Sequence, residues 1–292
     1  MSEHKAGFIS IIGKPNVGKS TLLNALMGQK LAIATEKAQT TRHRIFGILN
    51  EPDYQMVFSD TPGIIEPAYK LQESMMHFVK ESMEDGDIIL LLVEAGQKSL
   101  GEDVLKYLKK SKAPKILVIN KIDTLTQEEV LDKVAFWKEQ NLAEHIIPLS
   151  ALNKFNVGAL KALLVDLLPD SPPFYDKDQF TDKSERFFAS EIIREKIFLR
   201  YKKEIPYSCE VVVNVFKEES KLIRIQADIL VERDSQKGIL IGNQGSALKN
   251  VATAARKDME NFFAKKVFLE VFVKVKSNWR NEDKMLKEFG YE

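Results

Sequence analysis

The eight residues Gly13-Lys14-Pro15-Asn16-Val17-Gly18-Lys19-Ser20 constrain this chain more than any other stretch. They follow an apolar run at Phe8–Ile12, read as a strand, and lead into Thr21–Met27, whose leucines fit a helix. The pattern G-x-x-x-x-G-K-[ST] between a strand and a helix is a phosphate cradle. Its glycines let the main chain approach phosphate oxygens, while successive N–H groups and the helix N-terminus hold the negative charge. Lys19 is expected to reach the β- and γ-phosphates and the Ser20 hydroxyl to ligate Mg2+; Gly13, Asn16, Val17, Gly18 and Thr21 complete the cradle.

Such a loop needs a parallel sheet behind it. Strand-like runs at Met56–Ser59, Ile88–Val93, Ile116–Ile119 and Ile146–Leu149 alternate with helical patterns around Leu71–Met83, Glu102–Lys110, Gln127–Glu139 and Val157–Leu167. This rhythm predicts an α/β fold with a doubly wound, mostly parallel sheet that binds its ligand beyond the strand C-termini. A chain of 292 residues has room for a second domain. The stretch Pro169-Asp170-Ser171-Pro172-Pro173 is too rich in proline to continue a helix and marks the boundary. We read residues 1–168 as the nucleotide domain, 169–183 as a linker and 184–292 as the second domain.

The other strand ends carry matching chemistry. Asp60-Thr61-Pro62-Gly63 follows one strand, placing the Asp60 carboxylate where it holds Mg2+ and the Gly63 N–H where it meets a γ-phosphate. Asn120-Lys121-Ile122-Asp123 follows another, and a carboxylate at Asp123 accepts from both N1–H and the exocyclic amine of guanine, a donor pair adenine lacks. Leu149-Ser150-Ala151 would bring backbone N–H groups of Ser150 and Ala151 to the guanine O6. These elements, in this order, resemble the translation-factor-like P-loop GTPases. The resemblance makes Gln39-Thr40-Thr41-Arg42-His43 a first switch, in which Thr41, with Thr40 beside it, joins Mg2+ when the γ-phosphate is present. Lys19, Thr41 and Gly63 are then the residues closest to the hydrolytic step. Ile64 stands where Ras-like enzymes carry a water-orienting glutamine, so slow intrinsic hydrolysis is expected. Arg42, His43 and Arg44 are read as solvated switch residues in preference to catalytic groups.

After the boundary the order changes to α-β-β-α-α-β. It comprises a helix at Phe187–Tyr201, strands at Cys209–Phe216 and Leu222–Val231, two helical pieces flanking Gly242–Gly245, and a strand at Val267–Val275. Alternation at Val211, Val213, Val215 and at Ile223, Ile225 predicts half-buried antiparallel strands. With this order, the loop Ile241-Gly242-Asn243-Gln244-Gly245 resembles that of an α+β type II KH domain, whose G-x-x-G turn clamps about four nucleotides of single-stranded RNA. Taken alone, the same glycines read as a helix end and a turn. Residues 233–276 hold nine basic and four acidic side chains, although the whole chain nets only +1, so a polyanion is expected at this domain. Lys249, Lys274, Lys276, Trp279 and Arg280 join the candidate RNA residues; Trp279 reads equally well as a packing residue or a base-stacking one.

A GTPase unit followed by a type II KH unit resembles the Era family of bacterial ribosome-assembly GTPases, over roughly residues 6–290. The resemblance implies GTP and GDP with Mg2+ as ligands, and binding of the 3′ end of small-subunit ribosomal RNA and of the small ribosomal subunit. It also implies a monomer with no DNA partner, a cytoplasmic location and, on family grounds alone, peripheral contact with the inner face of the membrane. A lone cysteine, Cys209, forms no intramolecular disulfide and suits a reducing compartment. Two other readings stay open: a passive RNA-binding module stabilised by nucleotide, and a tRNA-modification or tandem-domain GTPase, against which stands the single set of motifs.

Overall fold

The computed structural model describes residues 4–291; the side chains of residues 103, 107 and 110 lie outside the description. Contacts divide the chain into two units. One holds the described residues up to Pro67 with Gln72–Asp182, and the other Ala68–Leu71 with the described residues from Lys183 onward.

In chain order the first unit runs β1 (Lys5–Gly13), α1 (Lys19–Met27), β2 (Ile45–Asn50), β3 (Tyr54–Asp60), α2 (Lys70–Asp85, its first residues counted with the other unit), β4 (Ile88–Glu94), α3 (Glu102–Lys110), β5 (Lys115–Asn120), α4 (Gln127–Glu139), β6 (His145–Pro148) and α5 (Val157–Leu167). The sheet order is β2-β3-β1-β4-β5-β6, with every neighbouring pair parallel except β2 with β3. Ile88 to Val93 are all fully buried, as befits a central parallel strand covered on both faces. Strand β1 has β3 on one side and β4 on the other, so the connections diverge there and open a crevice at the strand C-termini. Local signals set the helix starts: Thr126 and Glu129 exchange bonds in a capping box ahead of α4.

Strand β2 is an antiparallel edge that the apolar runs did not single out. Its outer side is occupied by the stretch expected to be a linker. Ile48 N–H donates to the Phe180 carbonyl (2.9 Å), Phe46 N–H to the Asp182 carboxylate (2.9 Å), and the Thr181 hydroxyl to the Phe46 carbonyl (2.7 Å). Gln55 adds to the hold, accepting from the Phe174 and Tyr175 N–H groups. Residues 169–182 are therefore an ordered strap on the first unit, covering an edge that would otherwise present unpaired groups.

The second unit runs α6 (Glu185–Arg200), α7 (Ile205–Ser208), β7 (Glu210–Glu218), β8 (Leu222–Val231), α8 (Asp234–Ile241), α9 (Ser246–Phe263), β9 (Lys266–Val275) and α10 (Asp283–Glu288). Ser184 caps α6 by accepting from Phe187 N–H. The sheet order is β7-β8-β9, the first pair antiparallel and the second parallel. Its core gathers Ile193 and Ile197 of α6, Ile225, Ala227 and Ile229 of β8, and Ala255 and Met259 of α9. The expected alternation of β7 fails at Val215. A bulge between Val213 and Val215 shifts the register, so Val213 is buried, Val215 is exposed and Phe216 takes the inward place.

The expectation of a base-stacking role for Trp279 is overturned: its side chain is fully buried, its Nε1–H donates to the Ser208 carbonyl (3.1 Å), and it packs edge-on to Phe289. A large ring with one satisfied polar atom is a core residue. Trp279→Ala is expected to cost about 3–5 kcal/mol in a urea unfolding measurement. Unchanged stability with lost RNA affinity would instead restore the stacking role.

Candidate nucleotide site and nucleic-acid interface

The crevice at the strand C-termini is a cavity of about 850 Å³, lined by Asn16, Gly18, Lys19, Ser20, Thr21, Thr41, Gly63, Asn120, Lys121 and Asp123 among others. Its size and its convergent polar groups fit a small-molecule ligand. Lys19 and Ser20 open α1 directly after the loop, so their side chains and the free N–H groups of the first turn share one end of the cavity. Lys19 Nζ is held over the loop by the carbonyls of Gly13 (3.2 Å) and Lys14 (3.1 Å). Asn16 ties the loop to the Glu36 carbonyl (2.8 Å), and Val17 is buried beneath it.

Three oxygens converge beside Lys19. The Ser20 hydroxyl lies 2.7 Å from Asp60 Oδ2 and 2.8 Å from Thr41 Oγ1. Asp60 Oδ1 is buried with no hydrogen-bond partner among the described residues. Hydroxyl and carboxylate oxygens around an unsatisfied buried acceptor form a donor set for a hard cation such as Mg2+. Electrostatics agree. Burial lowers the Lys19 ammonium to a pKa of about 8 against the opposing pull of Asp60, and burial raises the Asp60 carboxyl to about 6 against the Ser20 bond and the Lys19 charge. Phosphate beside Lys19 and a cation beside Asp60 would each restore the charged form. Thr40 also lines the cavity, and its hydroxyl bonds Thr35 (2.6 Å) and the Lys37 carbonyl (2.6 Å).

Gly63 is pressed against the loop. A Cβ there would lie 2.6 Å from Pro15 Cα, and the following Ile64 N–H donates to the Gly13 carbonyl (3.0 Å). Gly63→Ala is expected to open this contact and slow single-turnover GTP hydrolysis about a hundredfold, with GDP affinity nearly unchanged. A rate equal to the parent's would remove Gly63 from the site. Ile64 itself packs onto the apolar cluster behind α2 and β4, and its side chain has no group to hold water. The expectation of solvated arginines fails. Arg42 is completely buried, and Arg44, just ahead of β2, bonds Ser59 Oγ of β3 (2.8 Å) and Asp85 (2.8 Å).

At the far end, Asn120 joins three parts of the cavity wall: its Nδ2 donates to the Val17 carbonyl (2.8 Å) and its Oδ1 accepts from Ala151 N–H (3.0 Å). Asp123 Oδ1 accepts from the Ser150 hydroxyl at 2.5 Å, which orients the carboxylate. The expectation that Ser150 offers its N–H to a base is not met, since that group donates to the Phe155 carbonyl (3.2 Å); the Ala151 N–H is shared with Asn120. Lys121 stretches to Glu94 at the end of β4 (3.0 Å). Glu94 and the exposed Leu152 line the cavity and were not anticipated. The only signals in sequence were a carboxylate ending a strand and an apolar residue after Ser150-Ala151.

In the second unit, α8 ends at Ile241 and α9 begins at Ser246, with Asn243 and Gln244 exposed between Gly242 and Gly245. Both glycines take positive φ, 71° and 76°. Lys249 projects from the first turns of α9 into solvent. Lys276 is exposed, whereas Lys274 reaches Asp228 (2.7 Å) and Arg280 pairs with Glu232. The loop and Lys249 thus form one surface, and Trp279 is withdrawn from it.

Comparison with known proteins matches the same two halves. The family model described as a 50S ribosome-binding GTPase matches residues 8–121, and that of the KH domain residues 204–280. GTPase Era of Syntrophus aciditrophicus is 49% identical over 98% of this chain and 95% of its own. A crystal structure of Era in complex with MgGDPNP and nucleotides 1506–1542 of 16S ribosomal RNA matches at TM-score 0.94 and 37% identity, covering 99% of both chains. A variant of Aquifex aeolicus Era bound to GDP·AlF4− matches at TM-score 0.94 and 37% identity, covering 98% of this chain and 99% of its own. Near-half identity sustained from the phosphate loop through the KH unit goes beyond a shared nucleotide motif: the chain belongs to the Era family of GTPases.

Proposed function

We propose that this protein is a GTP-hydrolysing switch that binds the single-stranded 3′ end of small-subunit ribosomal RNA and assists assembly of the small ribosomal subunit. The observation that carries the first part is the single cavity joining Lys19, the Ser20–Thr41–Asp60 cluster and Asp123, which accounts for phosphates, cation and base together. The RNA part rests on the G-x-x-G surface and on the ribosomal RNA bound by the related Era.

Lys19, held over the phosphate loop by the Gly13 and Lys14 carbonyls, balances phosphate charge. Ser20, Thr41 and Asp60 would hold Mg2+, which when bound neutralises charge on the β- and γ-phosphates. Thr41 and the Gly63 N–H sense the terminal phosphate, since both border the cavity from segments outside the phosphate loop. With Ile64 turned to the apolar cluster, the attacking water is oriented by backbone groups or by a bound partner, and intrinsic turnover is slow. Ordering of Thr41 and Gly63 by GTP then changes the RNA affinity of the second unit. Among the described residues no helix is long and apolar enough to cross a membrane; we place the protein in the cytoplasm, with contact at the inner membrane face as a family expectation only.

The test is phosphate release under multiple turnover, with and without an RNA of the 3′ end. The reading expects release from GTP and not ATP, accelerated by the RNA. No release under either condition would favour the passive RNA-binding module.

A further inference from the structure

The three-stranded sheet of the second unit has one face packed under α6, α8 and α9, and on its other face Phe268 and Phe272 of the edge strand β9 stand exposed. Strand β9 alternates strictly. Val267, Leu269, Val271 and Val273 face the core, while Lys266, Phe268, Glu270, Phe272 and Lys274 face outward. Phe268 and Phe272 are 44% and 45% exposed, about 13 Å apart along the strand. They place two aromatic rings on the same side of the strand, two residues either side of Glu270. The register places Lys217 and Arg224 in line with Phe268, and the Arg224 guanidinium sits 5.1 Å from that ring's centre.

We propose that this face is a second contact for single-stranded RNA, with bases stacked on Phe268 and Phe272 and phosphates met by Lys217 and Lys266, and by Arg224 and Lys274 as they exchange their Glu219 (3.2 Å) and Asp228 (2.7 Å) partners for phosphate. The inference rests on the RNA-binding reading above and extends it. A KH loop clamps about four nucleotides, whereas the RNA in the complex of the related Era runs from nucleotide 1506 to 1542, so most of its length lies outside such a clamp. The path is short. Helix α8 packs against β9, which is an edge strand, and its eight residues rise about 12 Å to the G-x-x-G loop. RNA leaving the loop reaches this face around that edge. Aromatic faces with flanking cations form the usual platform for single strands, because every base offers a flat face for stacking. Glu270, between the two rings, is the one outward acid on β9 and opposes the phosphates.

The test compares Phe268→Ala/Phe272→Ala and Glu270→Lys with the parent protein. Binding is measured at fixed salt to RNA of nucleotides 1506–1542 and to a single-stranded oligonucleotide of about five nucleotides from its 3′ region. The double variant is expected to bind the long RNA about thirtyfold more weakly and the short one unchanged, with thermal unfolding and RNA-free GTP hydrolysis as in the parent. Glu270→Lys is expected to bind the long RNA several-fold more tightly, which structural damage would not produce. Unchanged long-RNA affinity in the double variant overturns the proposal. Intact RNA binding with lost association to the small subunit also overturns it, and makes the face a protein contact. If the parent protein binds neither RNA, the RNA-binding reading fails and this proposal with it.

Discussion

Asp123→Asn is expected to weaken GTP binding about ten-thousandfold while allowing xanthosine triphosphate to bind. A guanine edge presents two donors, N1–H and the exocyclic amine, and an aspartate carboxylate accepts both. Asparagine keeps one acceptor and turns a donor toward the amine, so one hydrogen bond is lost and a donor is left facing a donor. Xanthine carries a carbonyl in place of that amine and satisfies the new donor. Sites built to pair such an edge discriminate by about 10⁴ or more. The geometry favours a large effect because the Ser150 hydroxyl holds Asp123 Oδ1 at 2.5 Å and so limits the carboxylate's freedom to turn away. Competition of the two nucleotides against a fluorescent GDP derivative measures it. Unchanged GTP affinity would remove Asp123 as the base reader.

Gly245→Asp is expected to lower affinity for the single-stranded RNA about a hundredfold and leave nucleotide binding intact. The choice of glycine matters. At Gly242 a Cβ would lie 2.6 Å from the Ala247 Cβ, so any side chain there disturbs the start of α9. At Gly245 nothing lies within 4 Å, and aspartate tolerates the left-handed backbone that its φ of 76° requires. The substitution therefore adds a carboxylate to an otherwise intact loop. One such charge about 5 Å from a phosphate, at an effective dielectric constant near 20, costs about 3 kcal/mol. Filter binding with a short oligonucleotide reads the loss, and Gly245→Ala, which adds no charge, is expected to bind far better than the aspartate variant. Equal affinity for parent and aspartate variant would place the RNA elsewhere.

The nucleotide site was legible because its chemistry is local. A glycine-rich loop, a carboxylate ending a strand and the Asn120-to-Asp123 turn each announce themselves within a few residues, and the parallel sheet brings their ends together. Helix and strand positions were equally open to periodicity, down to α4 with its capping box. What escaped depends on long-range pairing. Strand β2 and its strap at residues 179–182 hold each other across more than 120 positions, and the short apolar run Ile45–Leu49 does not by itself announce that partner. The bulge at Val215 reverses an alternation that looked regular, because one extra residue exchanges the two faces of a strand. Trp279 sits in a basic stretch that reads as an RNA tail, yet the Ser208 carbonyl and Phe289 draw its ring inside. Arg42 was expected in water and is buried, a consequence of tertiary packing that no single-residue tendency reveals.

The central claim is that nucleotide state sets RNA affinity. Titration of the full-length protein with the 3′-end RNA at one salt concentration, in GDP, in a non-hydrolysable GTP analogue and without nucleotide, tests it directly. A GTP-gated switch predicts tighter binding with the analogue by about five- to 150-fold, the usual span of coupling between two sites. Equal affinity in all three conditions would contradict the switch and leave two independent binding modules on one chain.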